Sequence, residues 1–389
     1  MKKISLFVVL AVLSLTACGG GGGGGGGGTE MPGLANCAAQ GAANGVVCGQ
    51  CLAADGVTPL AGAEVLLGTP NANVAASLGT ITSKGVEDPT RCLADSQGFF
   101  ACLVPTGTSG TTAFYLMFAG FDDRTFNADI VAGATTDAGA LAMSGDTSAR
   151  WAVVPGTYDG VQVLLAQLKG CTLEDGAGNP FDPLTDDAQY ARGSADCESK
   201  GLLVLSDDTT SPNYPPTFID GNGLNGYSAL FVNCDANFSS TTTDAALQTF
   251  SNAGGHVYFS DLSDSWLTPA FPGKINFAGN STSTGTLSAT VPYAQLAAVV
   301  GSPINIVFDL PVWTAINTVE AGVTTYIQGD ISAPLTSYTG VHPVTVGWRP
   351  STSSGCVFYT SYHIEGNSTG SAQEKAIKYL VQNIGSVCQ

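Results

Sequence analysis

The stretch "WAVVPGTYDGVQVLLAQL", Trp151 to Leu168, decides the fold. It reads as a short buried strand, a Gly-containing turn, and an amphipathic helix with Val161, Leu164, Leu165 and Leu168 on one face. The same grammar continues downstream. "GLLVLSDD" (Gly201 to Asp208) and "YSALFVNCD" (Tyr227 to Asp235) are apolar strands that end in polar residues. "TTDAALQTFSNAGG" is a helix with Thr242 or Thr243 as its cap and Gly254-Gly255 as its stop, and "HVYFSD" is the next strand. After an irregular middle, "CVFYTSYH" and "AQEKAIKYLVQNI" supply a last strand and helix. Strands alternating with helices predict a doubly wound, mostly parallel, flavodoxin-like α/β sheet over residues 150–389.

Upstream the pattern differs. From Val46 to Met143, short β-prone runs such as "VVCGQCLAADGVTPLAGAEVLL" and "TAFYLMFAGF" alternate with Gly, Asp and Pro turns, an all-β pattern. Gly56 and Gly98 permit tight turns, Phe99 and Phe100 lead back into a strand, and Pro105-Thr-Gly107 reverses the chain. The succession "DGVTPLAGAEVLL", "ADSQGFFACLVPTG", "FAGFDD" and "VAGATTDAGALAM" resembles carboxypeptidase regulatory-like domains. That resemblance implies a small β-sandwich over residues 37–146 that spaces or binds rather than catalyses. The region from 150 onward, through "YSALFVNCD", "AGGHVYFSD" and "VFYTSYH" with its following helix, resembles the class I glutamine amidotransferase-like superfamily, especially trehalose-utilisation-type relatives.

At the amino terminus, Lys2 and Lys3 precede an apolar core, Ile4 to Leu15, too short for a permanent membrane span, so residues 1–17 read as an export signal. Leu15-Thr16-Ala17-Cys18 resembles the lipobox of bacterial lipoproteins. The resemblance implies cleavage before Cys18, acylation of that residue, and attachment to the membrane through lipid. Gly19 to Gly28 bring no side chain to bury and lose the most entropy on ordering, so residues 18–36 are the lipid site and a tether. Gly19 stands where many such lipoproteins carry an inner-membrane retention aspartate, which implies the bacterial outer membrane. A formal charge of −18 argues against nucleic-acid binding.

Eleven cysteines less Cys18 leave ten, enough for up to five disulfides in an oxidising compartment. Cys92 and Cys102 flank the turn-like "DSQG", Cys171 and Cys197 flank a polar insertion, and Cys356 and Cys388 begin a strand and follow the helix after it. These three pairs are the expected bridges, although spacing alone does not determine connectivity. Cys37, Cys48, Cys51 and Cys234 remain, and Cys48-Gly-Gln-Cys51 has redox spacing in a strand-like context that favours structural disulfides.

Ligands of open parallel sheets gather at the carboxyl ends of strands. Asp207, Asp208, Cys234, Asp235, Ser260, Asp261, Ser263, Asp264, His363 and Glu365 fall there. Crowded carboxylates could take a calcium-like ion, but no D-x-D-x-D-G loop occurs and solvation is the simpler expectation. The amidotransferase resemblance implies a cysteine on the strand-to-helix turn. That turn reads Phe259-Ser260-Asp261-Leu262-Ser263 and lacks it, whereas His363 matches the family's histidine, with Glu365 two residues on. His256, His342 and His363 show no zinc spacing, and no cofactor motif appears, so neither metal nor cofactor is expected. Tyr214, Trp266, Trp313 and Trp348 could form a sugar-stacking platform. The expectation is a lipid-anchored, non-enzymatic envelope module binding carbohydrate or another envelope protein. The alternative is a hydrolase using Ser260 or Ser263, or the Cys234 thiol, with His363.

Overall fold

The computed structural model describes residues 45–388 except 54–55, 57–58, 61–62, 68–90, 96, 105–106, 119–123, 144–148, 183–185, 237–239, 282, 333–337, 365–370 and 385–386. The expected export signal, Cys18 and the tether lie outside the described residues.

The first strands are β1 (Val46–Leu52), β2 (Glu64–Leu67), β3 (Arg91–Leu93), β4 (Phe99–Leu103), β5 (Gly110–Met117), β6 (Arg124–Ile130) and β7 (Thr135–Ala142). They form a three-stranded sheet ordered β4-β1-β7 and a four-stranded sheet ordered β3-β2-β5-β6. Val47, Cys51, Phe100, Phe114, Leu116 and Ile130 are buried among them. The turn before β4 shows why its residues are needed. The Asp95 carboxylate accepts from the backbone N–H groups of Gln97 at 2.8 Å and Phe99 at 2.9 Å. Gly98 follows at φ 74°, where a Cβ would lie 2.4 Å from the Cys51 carbonyl oxygen. Cys92 of β3 and Cys102 of β4 are disulfide-bonded, which fastens the two sheets together.

Next come β8 (Trp151–Val154), β9 (Leu202–Val204), β10 (Ala229–Val232), β11 (His256–Ser260), β12 (Ile275–Ser281), β13 (Gly285–Thr290), β14 (Ile304–Phe308), β15 (Trp313–Val319), β16 (Thr324–Asp330), β17 (Val341–Trp348) and β18 (Val357–Thr360). Nine of these make one sheet in the order β14-β13-β16-β17-β18-β11-β10-β8-β9, and β12 and β15 pair as a separate ribbon. The stretch from β18 to β9 is parallel throughout, with Ala229 opposite both Trp151 and His256 and Val257 opposite Val357. Helices Val161–Lys169, Thr241–Asn252 and Ala372–Gln382 accompany these strands. Alternate residues of β10 enter opposite cores. Phe231 joins Val153, Leu164 and Leu168, while Leu230 and Val232 join Val154, Leu247 and Phe259.

The structure departs from the sequence reading in the sheet, in one helix cap and in part of the cysteine pairing. The sheet is mixed rather than mostly parallel, because β17, β16, β13 and β14 extend it antiparallel from β18. Antiparallel neighbours need no crossover helix, so this part carries no strand-helix alternation. Neither Thr242 nor Thr243 caps the helix Thr241–Asn252. Ser240 does, accepting from the Thr243 N–H, while the buried Thr243 hydroxyl donates to Asp220 at 2.9 Å. Cys171 and Cys197 are bridged, whereas Cys356 and Cys388 are brought into side-chain contact as expected but without a bond between their sulfurs. The Cys388 end is also held by Arg349, whose Nε donates to its carbonyl at 2.7 Å. Cys48 is disulfide-bonded, in line with the structural reading of its context, while Cys51 departs from it as a free buried thiol.

Candidate functional site

The parallel strands converge on one buried carboxylate. After β8 the chain passes Gly156, where a Cβ would lie 1.9 Å from the Cys234 carbonyl oxygen, so only glycine lets the turn pack onto the end of β10. Three residues on, Asp159 sits just before the helix Val161–Lys169 and is 2% exposed. Its Oδ1 accepts from the Ile364 N–H at 3.1 Å, beyond β18. Its Oδ2 accepts from the Ser260 hydroxyl at the end of β11, and the Cys234 N–H points to it at a long 3.5 Å. One side chain thus ties together the carboxyl ends of four strands.

Beside it, Asp261 occupies the strand-to-helix turn at φ 45°, a left-handed conformation that an aspartate adopts at some cost. The turn is fixed on both sides, since Asp261 Oδ1 accepts from the Thr314 N–H at 2.8 Å and the Asp261 carbonyl accepts from the Tyr359 hydroxyl at 2.8 Å. The remaining oxygen, Oδ2, lies 3.5 Å from the Cys234 sulfur and 3.5 Å from Nδ1 of His363. The other ring nitrogen, Nε2, lies 3.1 Å from Asp309 Oδ1. Cys234, Asp261 and His363 are all buried, and one ligating atom from each lies within 4.8 Å of the other two.

The electrostatics follow from burial and crowding. Desolvation pushes the Asp159 and Asp261 carboxyls above the ordinary carboxylate range. Burial likewise raises Asp264, to about 6. Burial alone would lower His363, but hydrogen bonds to Asp261 and Asp309 and the Asp159 charge outweigh it and raise it to about 10. Desolvation, followed by the negative charges of Asp261 and Asp159, pushes the Cys234 thiol far up, so it is no spontaneous thiolate.

The structure therefore brings together Cys234, Ser260, Asp261, Ser263, Asp264 and His363. Ser263 Oγ donates to the Ser260 carbonyl at 2.7 Å, and Asp264 Oδ1 accepts from Thr314 Oγ1 at 3.3 Å. Asp207 and Asp208 are exposed and engaged elsewhere, the first with Arg192 at 3.1 Å and the second with the Thr210 N–H at 2.9 Å. Asp235 is half-buried at φ 61°, and Glu365 lies outside the described residues. The sugar-stacking platform is not formed: Trp266, Trp313 and Trp348 are each at most 1% exposed and pack in the core, which leaves the half-buried Tyr214 without them. Sequence reasoning missed Asp159 and Asp309. Asp159 follows an apolar strand as the other candidates do, and that signal was available. Asp309 follows β14, an antiparallel strand in the part read as irregular.

No protein-family profile matches the chain, and no curated protein sequence matches it. Among solved structures, a ThuA-like protein from Bacteroides uniformis is similar at 12% identity and a TM-score of 0.38, over 59% of this chain and 88% of that one. A ThuA-like protein from Parabacteroides merdae is similar at 11% identity and a TM-score of 0.35, over 62% of this chain and 91% of that one. A cytoplasmic protein from Salmonella typhimurium follows at 9% identity and a TM-score of 0.30, over 70% and 95%. Likenesses this distant leave function to the geometry.

Proposed function

We propose that the chain is a lipid-anchored envelope protein whose folded part, carried on a polyglycine tether, acts by binding another envelope protein rather than by catalysis. The observation that carries the non-catalytic reading is the burial of each nucleophile candidate: Ser260, Ser263 and Cys234 are all 0% exposed, with their hydrogen bonds made inside the protein. Ser260 Oγ donates to Asp159, Ser263 Oγ to the Ser260 carbonyl, and Cys234 Sγ to Asp261. Both nitrogens of His363 face carboxylates, those of Asp261 and Asp309. Nucleophilic catalysis needs a base within hydrogen-bond reach of the nucleophile's proton and a nucleophile that a substrate can approach, and burial works against the second condition. The burial of the three tryptophans favours a protein partner over a sugar, since it removes the aromatic platform expected for carbohydrate.

The anchor is supported by Leu15-Thr16-Ala17-Cys18 and the ten glycines after it. Among the described residues, no helix is long and apolar enough to cross a membrane. The test of the binding reading exposes the folded full chain to a fluorophosphonate and to iodoacetamide, then maps the adducts by mass spectrometry. Ser260, Ser263 and Cys234 are expected to stay unmodified until the chain is denatured. Labelling of any of them in the folded protein, suppressed by His363→Ala, would establish the hydrolase instead.

A further inference from the structure

We propose that Cys234 Sγ, Asp261 Oδ2 and His363 Nδ1 form a binding site for a zinc-class divalent transition-metal ion, with Asp309 positioning the imidazole. This goes beyond the binding-module reading and does not depend on it.

The distances match coordination. A tetrahedral ion with sulfur at about 2.3 Å and oxygen and nitrogen at about 2.0–2.1 Å keeps sulfur and oxygen about 3.5 Å apart and nitrogen and oxygen about 3.3 Å apart. Here Sγ stands 3.5 Å from Oδ2, and Nδ1 stands 3.5 Å from the same oxygen. The third side, between Sγ and the His363 nitrogen, lies within 4.8 Å and closes toward about 3.5 Å when an ion is held.

The surroundings are those of a ligand set, which is an independent observation. A metal-ligating histidine commonly donates its second ring N–H to a carboxylate, which fixes its tautomer and orientation. Nε2 of His363 faces Asp309 Oδ1 at 3.1 Å, leaving Nδ1 for the ion. Ligating carboxylates are hydrogen-bonded in turn, and Asp261 Oδ1 accepts from the Thr314 N–H at 2.8 Å. Thiolate and imidazole select zinc-class ions over calcium or magnesium, which require oxygen donors. Charge points the same way. Two carboxyl groups, the buried Asp261 and the partly exposed Asp309, face the single imidazole from its two nitrogens, and a divalent cation suits such an acidic set. The ion can enter beside Asp309, whose side chain is 36% exposed. Coordination replaces the protons carried by Sγ and by Nδ1, both of which pass to solvent.

Cobalt(II) tests this, because a bound thiolate gives it a near-ultraviolet charge-transfer absorption. The full chain, purified in detergent and stripped with a chelator, is titrated with cobalt and then with zinc. The expected result is one cobalt per chain with the charge-transfer band, displaced by zinc and not by calcium. Cys234→Ser should abolish the band, and Asp261→Asn should remove stoichiometric binding. Asp309→Asn, changed at a partly exposed side chain, should bind about 10–100-fold more weakly while keeping the band at saturation. The Cys356→Ser/Cys388→Ser double variant and the Asp207→Asn/Asp208→Asn double variant should bind as the parent does. Circular dichroism of each chelated variant verifies folding. Should Cys234→Ser fail to fold, loss of affinity in the folded Asp309→Asn chain decides. The proposal is overturned if the parent takes up no stoichiometric cobalt, if a band persists unchanged in folded Cys234→Ser, or if Asp309→Asn binds with unchanged affinity.

Discussion

Asp159 accepts from the Ser260 hydroxyl and the Ile364 N–H, both buried, and so holds the ends of β11 and β18 against the turn after β8. Truncation to alanine leaves those donors without a partner, at about 1–3 kcal/mol for each unsatisfied group. Asp159→Ala should therefore lose about 3 kcal/mol or more in urea unfolding. A loss below about 1 kcal/mol would show that the carboxylate does not organise the site. Asp264 should behave oppositely. Burial raises its carboxyl to about 6, above the unfolded value near 3.9, so the native state holds the extra proton and stability falls as pH rises through that window. In the chelated chain, Asp264→Asn should be more stable than the parent near pH 7 by about 1–2 kcal/mol, after discounting partial exposure. That advantage should vanish toward about pH 4, whereas a variant no more stable than the parent near pH 7 would contradict the assignment. At this scale the sequence was legible in part. Cys234, Asp261 and His363 follow apolar runs, so the strand-end rule finds each one. Their contact was hidden, because zinc motifs are recognised by spacing along one helix or loop, and these three come from three strands. Asp159 lies within the stretch that sets the fold, yet its role depends on where three other strands end.

The helix Val161–Lys169 buries Val161, Leu164, Leu165 and Leu168, as its spacing predicts, but Gln162, Val163, Ala166 and Lys169 are buried as well, so it is covered nearly all round and not on one face alone. The parallel strands were equally legible, since burial on both faces makes each a continuous apolar run. The antiparallel extension was not. β14, Ile304-Asn305-Ile306-Val307-Phe308, alternates buried and exposed over only five residues, and a strand this short with one wet face is easily read as loop. The cap of Thr241–Asn252 was displaced by two or three residues for a related reason. Ser240 and the three threonines after it are all competent oxygens, and only the buried Thr243–Asp220 bond removes Thr243 from the choice. The Cys171–Cys197 bridge joins the segment after one helix to the helix Ala195–Ser199 across a separation of 26 residues. Chain entropy assigns such a loop about 3 kcal/mol, so Cys171→Ser/Cys197→Ser should unfold at correspondingly lower urea. An unchanged midpoint would show that the polar insertion is held by its hydrogen bonds alone.

The molecule as a whole couples an acidic chain, with a formal charge of −18, to an expected lipid at one end. Under the proposed anchoring, that charge would repel anionic headgroups. The Cys92–Cys102 and Cys171–Cys197 bridges accord with an oxidising compartment. All of this depends on acylation of Cys18, and the direct measurement is metabolic labelling of expressing bacteria with a clickable fatty acid, followed by fractionation. The parent chain should carry the label and sediment with outer membrane, and Cys18→Ala should lose the label and the sedimentation together. An unlabelled parent recovered in the cytosol would contradict the envelope assignment and the binding role built on it.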